Sequence, residues 1–181
     1  LKKIGGKKVA SGKMSMILEN RQTSRILSPV ISALNGSAIQ QKNSFLTDLK
    51  GTKVFSDKLT VTDDPFIISG HGSGYFDNEG IATKKRIIIE NGILKNYYID
   101  SYYSKKLGME PTSGDTTNLL FKTGTKDIDQ IVAGVEKGIL VTGFNGGNCN
   151  GSTGDFSYGI EGFYIENGEL KYPVSEMNIT G

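Results

Sequence analysis

The chain has one histidine, one cysteine and no tryptophan among its 181 residues. Each scarcity narrows what it can do. A lone histidine (His71) cannot build a histidine-based zinc site, which takes three or four protein ligands. A lone cysteine (Cys149) excludes an internal disulfide and fits a reducing compartment. No apolar run approaches the ~20 residues that span a bilayer, and no secretory signal pattern is present. Cytoplasm is therefore the expected location. The formal net charge of +2 is too small to argue for nucleic-acid or membrane partners. The cluster Lys2, Lys3, Lys7, Lys8 reads as a solvated, flexible end. The chain opens at Leu1 without an initiator methionine and closes at Gly181 just after a strand-like run, which is what a fragment of a longer protein would show.

Glycine is what the chain has in excess: 24 of 181 residues, against an ordinary share of about 7%. It is densest in Val141–Gly159, Val-Thr-Gly-Phe-Asn-Gly-Gly-Asn-Cys-Asn-Gly-Ser-Thr-Gly-Asp-Phe-Ser-Tyr-Gly. Such a run shapes its main chain tightly, around a ligand, a partner or itself. Two Asn-Gly pairs, Asn91-Gly92 and Asn167-Gly168, sit between β-branched and aromatic runs and predict two-residue hairpin turns. The segments around them, Ile89–Lys95 and Ile165–Lys171, match at six of seven positions. They read as a recurrent hairpin device, with duplication left open.

Further strands are expected over Val9–Leu18, Lys53–Phe55, Leu59–Asp63, Asn118–Phe121 and Ile139–Thr142. Ile26, Leu27, Val30, Ile31 and Leu34 mark one face of a short helix that Gly36 is placed to end. Pro29 either opens that helix after a Ser28 cap or kinks an earlier start. Tyr102–Leu107 predicts a helix ending at Gly108. Asp127–Lys137 predicts an amphipathic helix, with Ile128, Ile131, Val132 and Val135 on one face.

Few residues invite chemistry. His71, between two glycines, is a base or single ligand on one reading and an exposed loop side chain on another. Cys149 is a nucleophile only if His71 comes close to it in space. Asp63, Asp64, Asp77 and Glu79 lack the alternating ligand positions of a calcium loop and read as turn residues. The Gly/Asn run has no Gly-Lys-Ser/Thr ending and no helix after it, so it is not a phosphate loop. Its main chain suits pairing with an extended peptide or a tightly wound structural turn. Asn145, Gly146, Gly147, Asn148, Asn150, Gly151, Thr153, Gly154 and Asp155 are the candidate peptide- or partner-binding positions. No catalytic or metal-binding residue is assigned.

Several separated segments resemble the TldD/PmbA family of metalloprotease subunits. They are Leu34–Leu46 (Leu-Asn-Gly-Ser-Ala-Ile-Gln-Gln-Lys-Asn-Ser-Phe-Leu), Asp63-Asp64-Pro65, Phe76–Thr83, Leu107-Gly-Met109 and the glycine-rich run to Gly181. The resemblance implies one domain over residues 1–181, the family's C-terminal domain, without its N-terminal domain or its tail. Family members are linked to peptide processing and are often labelled modulators of DNA gyrase. In the TldD branch a helix carries a His-Glu-x-x-x-His zinc motif. The matching helix here, around Ile26 to Asn35, has no histidine and no acid, only a polar stripe of Ser24, Ser28 and Ser32. No family catalytic residue carries over, and the chain resembles the PmbA (TldE-like) branch.

The expectation is a β-rich α+β domain, mainly antiparallel sheet with two or three short covering helices. It implies a non-catalytic subunit of a peptide-processing metalloprotease, holding no cofactor itself, with zinc in a TldD-like partner. A self-dimer is the other assembly. A stand-alone peptidase completed by oligomerisation and a non-enzymatic scaffold remain alternatives.

Overall fold

The computed structural model describes residues 4–181; Lys2 and Lys3 of the basic cluster lie outside the described residues. In chain order the elements are β1 (Ser15–Leu18), α1 (Thr23–Ala33), α2 (Gly36–Gln40), β2 (Val61–Asp63), β3 (Arg86–Glu90), β4 (Ile93–Leu94), α3 (Ser101–Leu107), β5 (Leu119–Phe121), α4 (Ile128–Ala133), β6 (Lys137–Phe144), β7 (Asn148–Cys149), β8 (Phe156–Glu166) and β9 (Glu169–Thr180). The class is α+β and β-rich, as expected. The contacts divide into two compact units.

The first unit holds the described residues up to Val30 with Gly124–Asn150 and Gly154–Gly181. Its sheet runs β1-β6-β8-β7, with β9 also paired to β8. β1 runs parallel to β6, and the other named strands of this sheet pair antiparallel. Period-two alternation sends successive side chains to opposite faces. Ile139 and Val141 of β6 join Ile160, Tyr164 and Val174 on one face. Leu140 and Ile165 meet Val132 of α4 on the other. A strand covered on both faces reads as a continuous apolar run, which is why Ile139–Thr142 was legible.

The second unit holds Ile31–Thr123 with Gly151–Thr153. Its antiparallel sheet runs β4-β3-β2-β5, over a core that includes Leu34, Leu46, Ile88, Leu94 and Tyr98. Asp100 caps α3 by accepting the Tyr103 N–H at 2.7 Å, and Gly108 closes it at φ 64°, the left-handed C-terminal stop that glycine permits. Asp63, 1% exposed, ends β2 as a buried anchor. It accepts the Thr117 N–H at 2.9 Å and the Thr117 hydroxyl, and pairs with Arg86 at 3.4 Å. Arg86 also lies over the Tyr98 ring, 4.8 Å from its centre.

Both Asn-Gly pairs form the expected hairpin turns, with φ of 48° and 81° at Asn91 and Gly92 and of 53° and 77° at Asn167 and Gly168. Each turn also docks on the chain just ahead of the strand that pairs with its hairpin. Gly92 N–H donates to Leu59 O and Gly168 N–H to Val135 O, both at 2.9 Å. Asn91 N–H donates to Thr60 Oγ1 at 3.1 Å, and Asn167 N–H to Glu136 O at 2.7 Å. The docking residue precedes the turn by the same number of positions in both hairpins.

Several boundaries differ from the sequence expectation. α1 starts early, at Thr23, and keeps Pro29 inside it, so the Arg25 carbonyl one turn back receives no N–H from that residue. Gly36 opens α2 instead of ending α1. Its Cβ position would lie 2.9 Å from Tyr103 Cβ, so glycine there serves close α2–α3 packing. With α2 the described residues hold four α-helices, against the two or three expected. α4 stops at Ala133, with Gly134 as its C-cap, and Lys137 opens β6. Val9–Met14 and Val54-Phe55 lie outside strands, and Lys53 forms only an isolated bridge to Ile93.

Candidate functional site

The glycine- and asparagine-rich run starts as a hairpin on the first unit's sheet. β7 pairs with β8 through Asn148 opposite Ser157 and Cys149 opposite Phe156. At its base, Asn145 N–H donates to Gly159 O at 2.7 Å. Gly146 and Gly147 follow with φ of 72° and 95°. A side chain at Gly147 would run into Ser157 O and stand 2.6 Å from Tyr158 Cα, so two strands approach more closely here than a Cβ allows. At the tip, Asn150 N–H donates to Asp155 O and Gly154 N–H to Asn150 O, each at 2.8 Å.

Side chains hold this shape. Arg25, in the first turn of α1, sends Nη2 to Gly146 O at 3.3 Å and Gly147 O at 3.2 Å. Its guanidinium lies over the Tyr158 ring, 5.1 Å from the centre. Tyr158 stacks on Phe156 at 5.5 Å and meets Phe144 edge-on at 5.6 Å. Burial pushes the Tyr158 phenol above its ordinary value, Cys149 adds to the rise and Arg25 opposes it. Within the second unit, Gly151 O accepts the Phe45 N–H at 2.9 Å and Ser152 Oγ bonds Asn43 Oδ1 at 2.5 Å. Asn145, Gly146, Gly147, Asn148, Asn150, Thr153 and Asp155 are exposed, while Gly151 and Gly154 are half-buried. The result is exposed main chain in a fixed conformation.

His71 is exposed in a loop of the second unit, whereas Cys149 belongs to the first. The Cys149 sulfur lies 3.8 Å from Asn150 O and from Gly154 O, as part of the turn. Asp77 and Asp64 act as turn residues. Asp77 Oδ1 accepts the Glu79 and Ile81 N–H groups at 2.9 Å, and Asp64 Oδ1 accepts the Phe66 N–H at 3.0 Å. Lys85, 2.8 Å from Asp64, holds that carboxyl below the usual carboxylate value. Glu79 accepts the N–H and hydroxyl of Ser101. No group of three or more His, Cys, Asp or Glu able to hold a metal ion occurs among the described residues. Along α1, Ser24, Ser28 and Ser32 are exposed. The first unit also has a groove of about 680 Å³ between residues 8–16 and the end of β9, with Ile139, Phe156, Met177 and Ile179 in its lining.

Sequence reasoning missed Arg25. The one available signal was a single cation among the serines and aliphatic residues of α1, and nothing local ties it to carbonyls more than a hundred positions away.

A family model described as the PmbA/TldA metallopeptidase C-terminal domain matches residues 11–181. The chain is 36% identical to a metalloprotease PmbA homologue of Haemophilus influenzae, over 99% of the chain and 40% of that protein. It is 33% identical to metalloprotease PmbA of Escherichia coli O157:H7, over 100% of the chain and 41% of that protein. A crystal structure from Bacteroides thetaiotaomicron, named for a proposed modulator of DNA gyrase, superposes with a TM-score of 0.97 at 59% identity, covering 99% of this chain and 41% of that one. TldE from Thermococcus kodakarensis superposes at 0.83 with 27% identity, covering 93% and 41%. The chain thus spans about two fifths of the length of these relatives.

Proposed function

We propose that this chain, which belongs to the PmbA/TldD metallopeptidase family by its C-terminal domain, is part of a PmbA/TldE-like, non-catalytic subunit of a cytoplasmic peptide-processing metalloprotease. Its partner is a TldD-like subunit that brings the zinc, and its Asn145–Asp155 hairpin offers main chain to the partner and to an extended peptide. The observation that carries the reading is α1. It forms a helix where the resemblance sets the zinc motif, and its exposed stripe is Ser24, Ser28 and Ser32. Hydroxyls are poor zinc ligands beside imidazole and thiolate, and a hydrolytic zinc also needs an open position and a carboxylate base. These residues do not fit that metal.

The shape of the hairpin supports the second half of the reading. Exposed strands and fixed loop main chain are surfaces that extended polypeptides pair with, and ordering a loop in advance lowers the cost of binding.

The test uses the full-length protein, alone and mixed with a TldD-like relative. Alone it is expected to bind no stoichiometric zinc and to cleave no peptide. With the relative, chelator-sensitive cleavage is expected, and His71→Ala retains it. One zinc per chain in a clean preparation, or chelator-sensitive cleavage without any partner, would overturn the non-catalytic reading in favour of a stand-alone peptidase. Gly151→Val adds bulk where a Cβ meets only ordinary contacts, the nearest being Asn43 O at 3.5 Å. It is expected to weaken partner binding by about tenfold without unfolding the protein. Unchanged assembly and turnover would reduce the hairpin to a structural turn.

A further inference from the structure

Gly146 and Gly147 are a soft spot by composition. Two successive glycines at positive φ have many other conformations open to them, and holding one of these costs entropy that the pair cannot recover through side-chain contacts of its own. Something outside the pair must hold it. The partners of its two carbonyl oxygens converge on one atom, Nη2 of Arg25, at 3.3 and 3.2 Å.

We propose that Arg25 is the positioning residue of the Asn145–Asp155 hairpin: it fixes the Gly146-Gly147 turn that leads into β7, and so the β7 main chain offered to the partner subunit. This rests on the reading of the hairpin as a partner-binding surface. A guanidinium suits the task in two ways that an ammonium does not. The two N–H groups of Nη2 are fixed in the guanidinium plane, so one nitrogen donates to both carbonyls, and the flat face stacks on an aromatic ring. The ring supplied is Tyr158, itself held between Phe144 and Phe156. The ring is thus packed against two neighbours, and the guanidinium lies over its face.

Arg25 is exposed and belongs to neither apolar cluster of the first unit. Its removal releases the turn while leaving β6, β8 and β9 paired. That separates positioning from folding and makes the idea measurable.

The experiment compares Arg25→Ala, Arg25→Lys and Gly151→Val in the full-length protein. Three readouts are taken: thermal unfolding, amide hydrogen exchange across residues 144–156, and affinity for a TldD-like relative. For Arg25→Ala the expected result is an unchanged unfolding midpoint, exchange about tenfold faster in the hairpin and affinity about tenfold weaker. Arg25→Lys keeps the charge without the planar N–H pair or the stack and recovers only part of both losses. If Arg25→Ala leaves exchange or affinity unchanged while Gly151→Val still weakens binding, the positioning role is overturned and the partner surface stands. If neither variant changes affinity, the partner-surface reading falls, and the positioning role falls with it.

Discussion

Replacing Gly92 by alanine tests the hairpin geometry most severely. Gly92 has φ 81°, and an added Cβ would run into Phe55 O while standing 2.7 Å from Ser56 O and 2.8 Å from Ser56 C. These are backbone atoms, which cannot rotate away as the tip of a flexible side chain can. The same residue accepts the N–H groups of Val54 and Phe55, each at 3.0 Å, and donates to Leu59 O. Gly108 supplies the control inside the same unit. Its φ is 64° with nothing within 4 Å of the added atom, so Gly108→Ala measures the left-handed penalty alone, about 1 kcal/mol. Gly92→Ala adds an overpacking cost of about 1–3 kcal/mol, for a total of roughly 3 kcal/mol. Gly168→Ala, facing Ala133 O at 2.8 Å and Ala133 Cα at 3.1 Å, falls between them. Urea unfolding of the full-length variants, followed by far-ultraviolet circular dichroism, gives the ranking. A Gly92→Ala variant no less stable than Gly108→Ala would refute the claim that backbone crowding, beyond φ, demands glycine at this turn.

Two further substitutions probe polar and backbone strain. The Tyr98 hydroxyl is buried beside the Asp63 carboxylate and makes no hydrogen bond of ordinary geometry, so Tyr98→Phe is expected to stay within about 1 kcal/mol of wild type at pH 7. Burial, aided by the Asp63 carboxylate, pushes the Tyr98 phenol far above its ordinary value. The folded protein therefore keeps a proton that the unfolded chain releases above about pH 10, and stability falls as pH rises from there. Tyr98→Phe shallows that fall in urea midpoints taken at pH 8 to 11, and an identical alkaline slope would contradict it. Glu176 sits at φ 53°, where the β8–β9 register shifts. Glu176→Gly is expected to stabilise by about 0.5–1 kcal/mol, since relief of a left-handed penalty of about 1–2 kcal/mol outweighs glycine's entropy cost in a strand of about 0.5–1 kcal/mol and the exposed 3.6 Å pair with Lys8 contributes little; a lower unfolding midpoint would contradict this.

What the sequence revealed was local. Asn-Gly pairs must turn because few residues tolerate two successive positive φ values, and Asp100 and Gly108 bracket α3 by capping chemistry that acts within one turn. Partnerships set by distant chain were hidden. Asp63-Asp64-Pro65 reads as a strand end, and it is one, but only the fold reveals that Arg86 and Thr117 close around Asp63. Gly36 has the look of a helix stop because glycine often is one; its actual neighbour, Tyr103, lies far along the chain. β9 continues past Pro173 to Thr180 because its pairing with β8 runs on, from Gly162 opposite Val174 to Ser157 opposite Thr180, and the Pro173 carbonyl accepts the Lys7 N–H at 3.0 Å. The Asn145–Asp155 run was legible as shaped main chain. Its clamp, Arg25, was not.

The matched docking of the two Asn-Gly hairpins has a bearing on how the chain finds its native pairing. Each hairpin is a fast-forming local element, and each then seeks a carbonyl just ahead of a waiting strand, at the same separation along the chain. A newly made chain therefore holds two near-identical keys and two similar locks. Exchange between them would be a trap of the kind that repeated modules invite. Discrimination falls to the surroundings: Phe55 and Ser56 crowd Gly92, Ala133 crowds Gly168, and the asparagine N–H meets a threonine hydroxyl in one case and a glutamate carbonyl in the other. Early order of synthesis adds a second safeguard, because the first hairpin and its dock emerge before the second pair exists.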